Sequence, residues 1–126
     1  MSPYPSPTST AAYRANAVMT APSEQLVVML YDGARRFLTQ AAAAMAERQI
    51  PQSHNKLRRA EAIIRHLRAT LDMDQGGEVA QRLQLLYVFW EDHLRQGRLQ
   101  QDPAKLDEVN RMLGQLRESW ATIAAQ

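Results

Sequence analysis

The sequence predicts an all-α protein, an antiparallel up-down-up-down four-helix bundle with a short N-terminal cap segment. Three observations predict it. Ala, Leu, Gln, Arg and Glu are common, while aromatic residues make up only 6% of the chain and β-branched residues are sparse, a mixture that favours helix. Apolar residues recur at helical spacing in four stretches of similar length, and none shows the strict alternation of a strand. The stretches are joined by short connections, which force neighbouring helices to run antiparallel.

The chain has 126 residues, enough for one domain. Residues 1–12 are rich in Pro, Ser and Thr. They read as a disordered leader, because they bury too little to offset the entropy of ordering. The remainder, 13–126, reads as one bundle domain. Residues 13–20 are too short to hold a helix alone in water. They are expected to form a cap that orders by docking Tyr13 and Val18 on an apolar surface.

The first long helix is predicted over 23–48, with Pro51 ending it. Ser23 is a suitable N-cap, Pro22 discourages extension backwards, and Glu24 suits the helix dipole. At ~100° per residue, Leu26, Phe37, Leu30, Ala41, Ala34, Val27, Leu38 and Tyr31 share an arc of roughly 140°. A stripe of ~100° suffices to pack one face, so this helix is either central or keeps a flank for something else to cover. The second helix is predicted over 53–71, with Leu57, Ala60, Ile63, Ile64, Leu67 and Leu71 on one face. Gly76-Gly77 is a C-cap or turn signal. The third helix is predicted over 78–97, closed by Gly97, on a face of Val79, Leu83, Leu86, Tyr87, Trp90 and Leu94. Leu85, Val88 and Phe89 form a separate apolar patch on it. The fourth is predicted over 103–124, with Asp102 as N-cap and Pro103 at the first helical position. Its face is Leu106, Val109, Met112, Leu113, Leu116, Trp120 and Ile123.

The chemistry of catalysis is missing from the pattern. There is no cysteine, hence no disulfide framework or thiol chemistry, which fits a reducing compartment. His54, His66 and His93 lie on different elements. No Glu-x-x-His pair encodes a di-metal bundle site, and no zinc spacing or phosphate-cradling glycine loop occurs. No catalytic, metal-ligating or cofactor-binding residue is predicted, and no cofactor. The net charge of +2 from 15 basic and 13 acidic residues points to neither nucleic acid nor membrane. Lys56, Arg58, Arg59 and Arg65 could contact nucleic acid or an acidic protein. With Glu61 interleaved and no base-reading element, they read instead as a solvated face. No run approaches the ~18 apolar residues of a membrane span and no signal-peptide pattern opens the chain, so a cytoplasmic location is expected. What stands out is apolar surface in excess of one closed core, which suits a partner helix or a dimer interface.

Several segments resemble one family, the flagellar secretion chaperone FliS. They are Tyr13-Arg-Ala-Asn-Ala-Val18, Thr20-Ala21, Leu26-Val-Val-Met-Leu-Tyr-Asp-Gly-Ala34, Ile63-Ile64, Thr70-Leu71-Asp72, Gly76-Gly77-Glu78, Leu85-Leu86-Tyr87, Asp107-Glu108-Val109 and Leu116-Arg-Glu-Ser-Trp120. They run in order along nearly the whole chain after residue 12, and the Met29–Ala34 portion is the most specific. The sequence departs from the family in its Pro-rich leader and in Tyr87-Val-Phe-Trp90, where paired tyrosines are usual.

The resemblance implies a chaperone that binds the disordered C-terminal region of flagellin in the cytoplasm. It would prevent premature polymerisation and deliver its cargo to the flagellar type III export apparatus. An export-gate component or a flagellar regulatory protein is a further partner it allows. Tyr13 matches the family's N-terminal tyrosine, which lies over part of the binding surface, so Tyr13 and Val18 are expected to be a movable cap. Leu26, Leu30, Tyr31, Ile64, Leu67, Leu71, Leu113 and Trp120 are expected core or groove positions. The competing reading is a helical-bundle regulatory or dimerisation module; the protein is expected to be a monomer or a weak homodimer.

Overall fold

The computed structural model describes residues 23–126. They form four helices, α1 (Glu24–Ala46), α2 (Ile50–Ala69), α3 (Gly77–Gln100) and α4 (Pro103–Ala124). The predicted leader and cap, with Tyr13 and Val18, lie outside the described residues. Each helix packs on its neighbours in sequence, and α1 packs on α4 to close the ring. α1 and α3 therefore face each other across the diagonal, and the predicted four-helix bundle is the architecture observed.

Two helices start where their caps predict. Ser23 has extended backbone and its Oγ accepts from the Leu26 N–H at 3.3 Å. Asp102 accepts from the Ala104 N–H at 3.0 Å, with Pro103 opening α4. Elsewhere the boundaries differ from the sequence reading. α1 ends at Ala46 and α2 begins at Ile50, three residues before the predicted 53, with Pro51 inside its first turn. A proline is tolerated there because the first-turn N–H groups have no helical partner. Pro51 thus opens α2, and the reversal is made by Arg48, whose φ is 59°. α2 stops at Ala69, so Leu71 lies beyond it.

Gly76 and Gly77 form the turn that launches α3. A Cβ on Gly76 would sit 2.5 Å from the Ala80 Cβ and 2.6 Å from the Asp72 carbonyl oxygen, and Gly77 has φ +57°. Gly97 does not close α3 as predicted; the helix runs on to Gln100, and Gln101 turns the chain with φ 52°. Gly97 is buried, and a Cβ there would come within 2.7 Å of Leu106 Cδ1. Its role is to let α4 approach, a tertiary demand that sequence punctuation does not distinguish from a helix stop.

Side-chain size sets the spacing around the ring. α1 buries Gly33, Ala34, Ala41 and Ala42, so α2 and α4 come close to it. α3 stands farther off, and fully buried Tyr87 and Trp90 fill the space it leaves. Leu38, Leu57, Ile64, Leu94, Leu106, Val109 and Leu113 complete the core. Val79 and Ile123, both assigned to inner stripes by periodicity, are exposed. Each lies in a terminal turn, where fewer neighbours surround a helix, and Ala80 takes the inner place at the start of α3.

Polar locks cross three of the four seams. Arg68 and Arg98 pair with Glu91 and Glu61 between α2 and α3. His93 meets Glu108 at 2.6 Å between α3 and α4. Between α4 and α1, Arg117 donates twice to Asp32, at 2.9 and 3.2 Å. On that same seam Asn110 accepts from Arg35 and donates to Thr39. Partly exposed pairs of this kind add little to stability, and their larger effect is to fix which helix faces which.

Candidate functional site

The first turns of α1, the end of α2, the start of α3 and the last turns of α4 meet at one end of the bundle. There the core fails to close. A recess of about 170 Å³ is lined by Val27, Leu67, Thr70, Leu71, Asp72, Tyr87 and Trp120. Its wall is mostly apolar, with a hydroxyl and a carboxylate at the rim. Asp72 is already engaged, since its Oδ1 accepts from the backbone N–H groups of Asp74 and Gln75. That Asx-type turn holds the segment after α2 and so fixes Leu71 at the recess mouth.

Beneath the recess lies an aromatic group that spans the diagonal. The Tyr31 and Tyr87 hydroxyls are 2.7 Å apart. Both rings meet Trp90, Tyr31 edge-on at 6.2 Å and Tyr87 tilted at 5.5 Å. Burial drives the Tyr31 hydroxyl above the usual phenol range, more than the adjacent Tyr87 and Trp120 groups lower it. Tyr87 is pushed up further, by burial first and by its closeness to Tyr31 second. Both hydroxyls are neutral at physiological pH, and the pair is a structural hydrogen bond. Tyr31→Phe is expected to cost about 1–2 kcal/mol, because it strands a buried Tyr87 hydroxyl. The Tyr31→Phe, Tyr87→Phe double variant should cost less than the two single changes summed. Urea unfolding of the four proteins checks both statements.

The structure divides the eight predicted positions on the bundle. Tyr31, Ile64, Leu67 and Leu113 are buried, three of them with no exposed surface. Tyr31, Ile64 and Leu113 are therefore core, whereas Leu67 also lines the recess. Leu71 and Trp120 are half-buried and line it too. Leu26 and Leu30 are half-buried on α1, and Leu30 packs on the core. The sequence reading missed Val27, Thr70, Asp72 and Tyr87 as recess residues. Val27 was visible on the wide arc of α1. Thr70 and Asp72 become wall only because α2 stops at Ala69.

A second apolar surface lies along the outside of α3, where Leu85, Val88 and Phe89 are 71%, 48% and 47% exposed. Phe89 is braced by stacking on His93, with ring centroids 5.2 Å apart. The spacing i, i+3, i+4 puts the three on one stripe. This is the predicted patch, and it takes no part in closing the core.

Recess and stripe offer shape and apolar area. No group of three or more His, Cys, Asp or Glu that could hold a metal ion occurs among the described residues. No helix among them is long and apolar enough to cross a membrane. What the arrangement can do is bind an apolar or amphipathic segment.

Residues 6–126 match the family model described as flagellar protein FliS. The chain is similar to the flagellar secretion chaperone FliS of Salmonella typhimurium, 34% identical over 110 residues, which cover 86% of this chain and 82% of that protein. It is likewise similar to the flagellar secretion chaperone FliS of Vibrio cholerae, 35% identical over 79% of this chain and 73% of that one. With that of Bacillus subtilis it shares 29% identity over 86% and 80%.

Proposed function

From the premise that this chain belongs to the flagellar protein FliS family, a family of non-enzymatic secretion chaperones, we propose that it binds the C-terminal segment of flagellin. It holds that segment from polymerising in the cytoplasm and presents it to the export apparatus. The single observation that carries the reading is the open apolar recess between Leu67, Leu71, Tyr87 and Trp120. An amphipathic segment seats one face in that recess and, where it wraps farther, lays apolar residues on the Leu85–Phe89 stripe. Ordering a disordered cargo offsets part of the gain from burial, which keeps affinity below what the area suggests. A cargo that must be released suits that balance. Tyr13 and Val18 are the proposed movable cap over the recess. An export-gate component or a flagellar regulatory protein is a proposed further partner.

The test is calorimetric titration of the full chain with a peptide from the C-terminus of the flagellin of the same organism. One-to-one binding with a negative heat-capacity change is expected. No binding, before or after removal of residues 1–20, would overturn the reading. Self-association is the second reading, favoured by the exposure of Leu85, Val88 and Phe89. Sedimentation that depends on concentration without cargo, and is abolished by Phe89→Asp, would support it.

A further inference from the structure

The α1–α2 seam differs from the other three. Among the described residues no ion pair or side-chain hydrogen bond crosses it, although cations approach it from both sides. Phe37 of α1 lies half-buried at its centre. Arg36, Lys56 and Arg59 place their charged groups 5.8, 5.8 and 5.7 Å from the Phe37 ring centroid. No two of these charges can then be farther apart than twice that distance. That is close to the ~8–10 Å Debye length of physiological salt, so their repulsion is only partly screened. The ring quadrupole attracts each cation but neutralises none.

Among the described residues no carboxylate is paired with any of the three. Glu61, which the sequence places among the basic residues of α2, is turned to Arg98 on the far side of that helix. The interleaved acid that made this face read as balanced therefore does not serve it. Arg58 and Arg59 also line an adjacent surface recess with Pro51, His54, Asn55 and Ala62, which contains no acid.

We propose that the cation-ringed Phe37 on the α1–α2 seam is a second docking site, which takes an acidic segment of a protein partner. Complementary charge selects the partner. The three cations converge on the ring, so carboxylates one helical turn apart can each meet one. An acidic peptide fits better than nucleic acid, because the Phe37 face is covered by cations and is not open for base stacking. Phe37 lies ten residues along α1 from Val27, about 15 Å at the rise of an α-helix. Occupation of this site and of the apolar recess is therefore compatible, and the proposal does not depend on what the recess binds.

The test is an amide-shift titration of the full-length protein with a hexaglutamate peptide, repeated with a single-stranded oligothymidine. Peptide-induced shifts are expected to gather at residues 36–37 and 55–59. The affinity should fall as salt rises from about 50 to about 200 mM, and drop roughly fivefold or more in the Arg36→Gln, Arg59→Gln double variant. Both side chains are exposed, so that variant should keep its helix content. Leu71→Asp, at the recess, should leave peptide binding unchanged. Shifts scattered over the surface, binding indifferent to the double variant, or no binding would overturn the proposal. So would tighter binding of the oligonucleotide at the same residues.

Discussion

Trp90→Ala is expected to destabilise the bundle by about 3–5 kcal/mol, the range for truncating a large aromatic in a core. Trp90 has no exposed surface and touches both members of the Tyr31–Tyr87 pair. It fills the space that α3 leaves by standing off from α1. Urea unfolding followed by circular dichroism measures the loss. Trp90→Phe provides the contrast. Among the described residues the buried indole Nε1 of Trp90 has no hydrogen-bond partner, and an unsatisfied buried donor costs about 1–3 kcal/mol. Removing that donor while keeping most of the ring should offset much of the lost volume, leaving a cost below about 2 kcal/mol. A Trp90→Phe variant as unstable as Trp90→Ala would show that shape, and not polarity, dominates there.

Leu71→Asp is expected to weaken flagellin-peptide binding by roughly thirtyfold or more, equivalent to about 2 kcal/mol. The change removes an apolar anchor and sets a new carboxylate beside Asp72 at the mouth of the recess. A bound segment would bury that charge without a partner. The fold should lose little, because Leu71 is half-buried and lies past the end of α2. Calorimetric titration and thermal melting of one protein sample separate the two effects. Unchanged affinity with an intact fold would remove the recess from the binding surface.

Much of the fold was legible because the apolar stripes of all four helices are long and regular. Ser23 and Asp102 were readable as caps because capping chemistry is local. The misread boundaries turn on residues whose meaning is tertiary. Gly97 resembles a helix stop but serves a close crossing with Leu106, and Pro51 resembles a break but opens a helix. The site was legible in part. Periodicity put Ile64, Leu67, Leu113 and Tyr31 on inward faces, yet it could not separate core from recess. That distinction depends on where four helices end relative to one another. Nothing in the apolar periodicity marks Arg35 and Arg117, although both lock the seam between α1 and α4.

The unequal spacing around the ring also implies an order of opening. α1 is held at close range by α2 and α4, through small residues and two polar locks to α4. α3 closes the ring at longer range on aromatic side chains. Elements packed less densely against their neighbours open more readily, and the seams of α3 are the sparser ones, so the amides of α3 should exchange with solvent ahead of those in the middle of α1. The fluctuation that frees α3 also uncovers Tyr87 and widens the recess. The bundle is thus soft on the side where a long amphipathic segment would have to enter and leave, and stiff on the side where the basic seam is displayed.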